Sequence, residues 1–137
     1  MDLLNNRNSV KVGAMDKDTE IKWMADVEDK DYPAAQSYLS LLHTDTEVIG
    51  LVKKLKDAKI VSFKAKDIFR ASGLSLLGIS NSHVDKDQKK IKEGTALSPL
   101  LLVRDAQNGK LIIADGYHRL CAVYAVNEDA VIPCKIV

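Results

Sequence analysis

Apolar residues recur at helical spacing twice within residues 31–58. In "DYPAAQSYLSLL" Ala35, Tyr38, Leu39 and Leu42 fall at i, i+3, i+4 and i+7, one face of a helix. Asp31 stands where a capping residue belongs, and Pro33 follows in the first turn. The next segment opens on "TDTE", a capping box in which Thr44 accepts from a first-turn N–H while Glu47 reaches back. Val48, Leu51, Val52 and Leu55 then form a second apolar stripe. The short connection predicts an αα-hairpin. Lys53, Lys54 and Lys56 lie near the end of the second helix, where cations complement its dipole.

Beyond residue 58 the pattern changes. "KIVSF" (59–63) has strand composition. Residues 64–83 read as a short helical turn and a loop of small residues. "VDKDQKKIKEG" (84–94) predicts a charged helix with a narrow Val84–Ile91 seam, ended by Gly94. "LSPLLLV" and "KLIIA" are apolar runs on either side of Asn108-Gly109, so 99–104 and 110–114 should pair antiparallel through a type I′ turn. "GYHRLCAVYAV" is apolar on nearly all faces after its first turn and predicts a buried helix. "AVIPCKIV" predicts a last strand, placed at an edge or bulged because Pro133 has no N–H. Upstream, "EIKWMADV" (20–27) suggests a short strand, and residues 1 to about 20 are polar and patternless. The expected organisation is an N-terminal arm (1–30) and one α+β domain (31–137), with a helical extension (31–58) and a core (59–137).

Composition narrows the function classes. Among 137 residues, 46% are hydrophobic and 28% charged, an ordinary balance for a single domain with a core. The formal net charge of +1 lacks the basic excess by which DNA binders neutralise phosphates, which argues against specific nucleic-acid binding. Cys121 and Cys134 sit in apolar runs without a CxxC pair, as buried thiols of a reducing cytoplasm do. No signal-peptide pattern and no membrane-length apolar run occurs, so a cytoplasmic protein without a membrane partner is expected. A homo-oligomer is compatible with all of this.

The chemistry concentrates in "ADGYHRLCA". A strand, a tight turn and a helix here would aim unpaired first-turn N–H groups and the positive end of the dipole at one point, an anion site suited to phosphate. Gly116 lets a ligand approach the backbone, and Arg119 adds a fork of donors. His118 is able to donate, or to act as acid or base near neutral pH. Asp115 has three readings: a helix cap paired with Arg119 at i+4, an orienter of His118 or Arg119, or a Mg²⁺ ligand beside the phosphate. A Cys121–His118 dyad is conceivable, but Cys121 in an apolar helix reads as a core residue. His43 and His83 show no metal-ligand spacing with His118.

The order of these features resembles the ParB/sulfiredoxin-like superfamily, including its ParB-like nuclease domains, over roughly residues 58–137. The Gly-x-His-Arg core (Gly116–Arg119) between a strand and a helix is the most specific piece, and "EGTALSPLLLV" matches a second landmark. The resemblance implies a small mixed sheet with packed helices and a nucleotide-phosphate site lined by Gly116, Tyr117, His118 and Arg119. Arg70, Ser72 and Gly73 would match the loop facing it across the pocket. Tyr117 occupies the position of the sulfiredoxin cysteine, which argues against sulfiredoxin chemistry. No helix-turn-helix follows as in chromosome-partition members. "DGYHR" is closest to the Asp-Gly-His-His-Arg run of the free-serine kinases, which implies Asp115 and His118 as catalytic residues and Mg²⁺ with ATP or CTP as cofactors. The expectation is therefore a nucleotide- or phosphate-binding domain, as a phosphotransferase or hydrolase. The alternatives are a non-catalytic anion- or nucleotide-sensing module and, with less support, a DNA-associated nuclease-like protein.

Overall fold

The computed structural model describes residues 15–78 and 81–137, so the expectation for the first residues of the arm lies outside the described residues. Four strands form one mixed sheet in the order β1-β4-β2-β3: β1 (Val61–Lys64), β2 (Leu100–Asp105), β3 (Lys110–Asp115) and β4 (Val131–Ile136). β2 pairs antiparallel with β3, β1 antiparallel with β4, and β2 parallel with β4. Five α-helices accompany the sheet among the described residues: α1 (Asp31–Leu39), α2 (Asp45–Asp57), α3 (Ala65–Ser72), α4 (Ser82–Glu93) and α5 (Tyr117–Val126). The class is α+β.

Alternation along β2 explains the layering. Leu100 and Leu102 join Ile68, Val84, Ile91, Leu120 and Val123 under α3, α4 and α5. Leu101 and Val103 join Tyr32, Ala35, Leu39, Val48 and Leu55 under α1 and α2. A strand covered on both faces must be apolar at every position, and "LLLV" is. On the α1–α2 side Lys135 is also buried. Its ammonium is satisfied by the Tyr32 hydroxyl at 3.1 Å and the Lys56 carbonyl at 2.9 Å.

Several local expectations need correction. Asp31 does not cap α1: it is the first helical residue, and Lys30 precedes it without a side-chain cap. The buried face of α1 is Tyr32, Ala35 and Leu39, whereas Tyr38 and Leu42 are 43% and 51% exposed. The stripe was displaced because Asp31 and Tyr32 turn inward to partners distant in sequence. The β2–β3 connection is a 3₁₀ turn at Ala106–Asn108 closed by Gly109 at φ 64°, so a type I′ turn, with both central residues at positive φ, is not formed. β4 is an interior strand. Pro133 is tolerated there because it lies opposite Ser62 of β1, while the ladder to β2 starts only at Cys134. Residues 65–72 are a two-turn helix rather than a single turn, and Gly73 ends it at φ 67°. Residues 20–27 form no strand: a single bridge joins Trp23 to Leu97. The Thr44–Glu47 capping box is present as expected.

Candidate functional site

β3 delivers Asp115 directly to the start of α5, and Gly116 makes the turn at φ 108°. A Cβ at Gly116 would lie 2.7 Å from Leu100 Cγ and 2.9 Å from Arg119 Nη2. The glycine is thus required by both backbone and packing. No side chain caps α5, and its first intrahelical bond runs from Leu120 N to Gly116 O at 2.9 Å. The N–H groups of Tyr117, His118 and Arg119 precede that bond, so the positive end of the helix is open.

Arg119 folds back over this junction. Its Nη2 donates to Asp115 Oδ2 at 3.0 Å, and to Asp31 Oδ2 and the Pro99 carbonyl at 3.4 Å. Asp31 Oδ2 also accepts from the Ser98 hydroxyl at 2.6 Å, and Ser98 Oγ accepts from Glu28 N at 3.1 Å. Asp115 is therefore the orienter of Arg119, not a cap. Burial pushes the Asp115 carboxyl above the usual carboxylate range, and the nearby Asp31 charge adds to this, while Arg119 opposes it.

A cavity of about 190 Å³ opens beside the junction. α5 contributes His118 and Arg119, with Gly116 from the turn and Asp115 from β3. α4 supplies the opposite wall through His83, Lys86, Asp87 and Lys90. The His83 and His118 rings lie against each other at a tilt of 39°, with centroids 4.8 Å apart. Burial, with the His83 ring second, holds the His118 imidazole below its ordinary value. Burial raises the Asp87 carboxyl, against the attraction of Arg119, Lys90, His118 and Lys86. Among the described residues Lys86 and Lys90 form no ion pair, and Asp87 beside them offsets part of their charge.

The other expected residues lie elsewhere. Tyr117 does not line the cavity: its ring centroid is 5.7 Å from that of His118, and its hydroxyl donates to the Ser75 carbonyl in the loop after α3. Arg70 is not brought in: its side chain is 86% exposed and pairs with Asp67. Ser72 is buried, donating to the Phe69 carbonyl and accepting from Leu74 N, and Gly73 only ends α3. Cys121 is fully buried, and burial pushes its thiol up, so it forms no dyad with His118. Cys134 is likewise core, with its thiol pushed up to about 12.

The α4 wall and Asp31 are the residues that sequence reasoning missed. The α4 signal was present: His83, Lys86, Asp87 and Lys90 fall at i, i+3, i+4 and i+7, a polar stripe flanking the sparse apolar seam. Compared with protein-family models, curated proteins and solved structures, the chain matches none.

Proposed function

We propose that the cavity between α4 and the start of α5 binds a phosphate group, most naturally that of a nucleotide. The observation that carries this is convergence: the open N-terminus of α5 faces Lys86 and Lys90, which have no ion-pair partner among the described residues. The charge of Asp115 is offset by Arg119 at 3.0 Å and that of Asp87 by one of the two lysines, which leaves one lysine charge and the helix end to favour an anion. The Gly-x-His-Arg resemblance to the ParB/sulfiredoxin-like superfamily points to the same junction and to nucleotide phosphates.

Volume narrows the proposal. About 190 Å³ is below the roughly 300–1,000 Å³ of pockets that enclose drug-sized ligands. The cavity suits the phosphate end, with the nucleoside projecting outward, so little discrimination between bases follows. Asp115 is a poor Mg²⁺ ligand by itself, because Arg119 already occupies its Oδ2 and repels a second cation. In the ATP or CTP reading, Mg²⁺ arrives with the nucleotide's own phosphates. His118, held towards its neutral form by burial, is the lining group suited to take or give a proton in a phosphotransferase or hydrolase.

A sensing module without turnover is the second reading. It is favoured by Arg119, whose Nη2 is shared among three oxygens and stays in a structural network rather than reaching a ligand. A thermal-shift panel of ATP, CTP, GTP, ADP and phosphate, with and without Mg²⁺, tests the site. A ligand at about 100 times its dissociation constant stabilises the fold by roughly 2.7 kcal/mol. The shift should disappear in Lys86→Ala/Lys90→Ala. Absence of any shift, or a shift that this variant keeps in full, removes the proposal. Release of phosphate or nucleotide product then separates enzyme from sensor.

A further inference from the structure

A second cleft lies on the α3 face of the sheet. Its volume is about 400 Å³, within the range of roughly 300–1,000 Å³ typical of small-molecule pockets. All four strands contribute, and its apolar wall is formed by Phe63, Ile68, Leu111 and Ile136. Phe63 is 40% exposed on this wall, a large apolar side chain without full cover in the free protein. Arg104 also lines the cleft, and Lys110 borders it at the start of β3, its side chain falling with Asp105 on the other face of the sheet. Both are exposed, and neither has a carboxylate partner among the described residues. The one carboxylate in the lining, Asp67, is shared with Arg70 at 3.5 Å.

We infer that this cleft binds a small monocarboxylate with an apolar acyl or aryl body. The body covers Phe63, Leu111 and Ile136, and the carboxylate meets Arg104. With Asp67 paired to Arg70, the cleft keeps the one positive charge of Arg104, the complement of a monoanion. A phosphate monoester matches less well, because its second charge has no second cation to meet beside Arg104 and its hydration shell must be stripped beside an apolar wall. The guanidinium fork of Arg104 suits the two oxygens of a carboxylate.

Amide NMR titration of the full chain with octanoate, 2-naphthoate and 1-octanol tests the inference. Octanoate and 2-naphthoate should perturb Phe63, Ala71, Lys110 and Leu111 and leave His118 and Arg119 unmoved. Octanoate should bind about tenfold or more tightly than 1-octanol, as the loss of a charged hydrogen bond implies. Arg104→Gln, an exposed change, should remove that advantage while sparing 1-octanol, and Ala71→Trp should block both. Equal affinity for the acid and the alcohol overturns the inference. So do perturbations centred on α5, an Arg104→Gln variant that binds octanoate unchanged, or no binding of either acid at millimolar concentration.

Discussion

Asp31 and Arg119, 88 positions apart, meet at 3.4 Å beneath the start of α5, with the Asp31 side chain 6% exposed and that of Arg119 16%. The contact ties the helical layer of α1 and α2 to the candidate phosphate site. Removing one partner of a buried, hydrogen-bonded pair leaves the other charge poorly satisfied and costs about 3–5 kcal/mol. Asp115 remains beside Arg119, so Asp31→Ala should cost less, about 2–4 kcal/mol. Urea denaturation checks this. Ser98→Ala should couple to it non-additively, because the Ser98 hydroxyl donates to the same Asp31 oxygen at 2.6 Å.

Gly116→Ala should be among the most damaging single-methyl changes in the chain. The φ of 108° alone implies about 1–3 kcal/mol of backbone strain for a residue with a side chain. The added Cβ would also press on Leu100, which is fully buried and unable to yield freely. A lowered thermal midpoint and weakened phosphate binding are expected together, since the same glycine shapes the open end of α5. An unchanged midpoint would contradict the geometry of the turn.

Asp87→Asn should tighten phosphate binding. Asp87 lines the cavity beside Lys86, Lys90 and His118, and burial already raises its carboxyl above the usual range. Its folded pKa exceeds the unfolded one, so the ionised carboxylate opposes folding as pH rises through that window. The amide removes this opposition and one negative charge from the cavity. The variant should be more stable than the parent above about pH 5, given an ordinary carboxylate value near 4, and should bind inorganic phosphate more tightly by calorimetry. Weaker binding would show that Asp87 holds the lysines in place instead.

How far this was legible in the sequence depended on where each residue's partner lies. The α2 cap was readable because Thr44 and Glu47 are three positions apart and satisfy each other. The β2–β3 pairing was readable from two apolar runs around a turn. The turn type was not, because the Asn108 side chain binds Asp105 and favours a 3₁₀ turn over the two-residue one. β4 was misplaced at an edge because a proline's cost depends on whether its N–H faces a ladder, and that depends on the register with β1 and β2. In the candidate site, Gly116, His118 and Arg119 were found because they are contiguous. Asp31 was assigned to a cap because its partners, Ser98 and Arg119, are 67 and 88 positions away. Arg70 was over-read: nothing in its local sequence reveals that it points to solvent.

His118 provides a pH readout that separates its environment from its ligand. Burial and the neighbouring His83 ring hold its folded pKa below the ordinary value of about 6.5, with Arg119 acting in the same direction and Asp87 against it. As pH falls from neutrality through the unfolded pKa, the unfolded chain takes up this proton before the folded one does. Stability contributed by the neutral ring is therefore present above about pH 6.5 and lost progressively until the lower folded pKa is reached. His118→Gln should flatten this part of the stability profile in urea denaturation between about pH 7 and 5. Proton NMR of the parent should give a His118 midpoint below that of a model imidazole. Saturating phosphate should move the midpoint upward, because an anion in the cavity favours imidazolium. A depressed midpoint that phosphate leaves unmoved would retain the burial argument and remove the anion from this cavity.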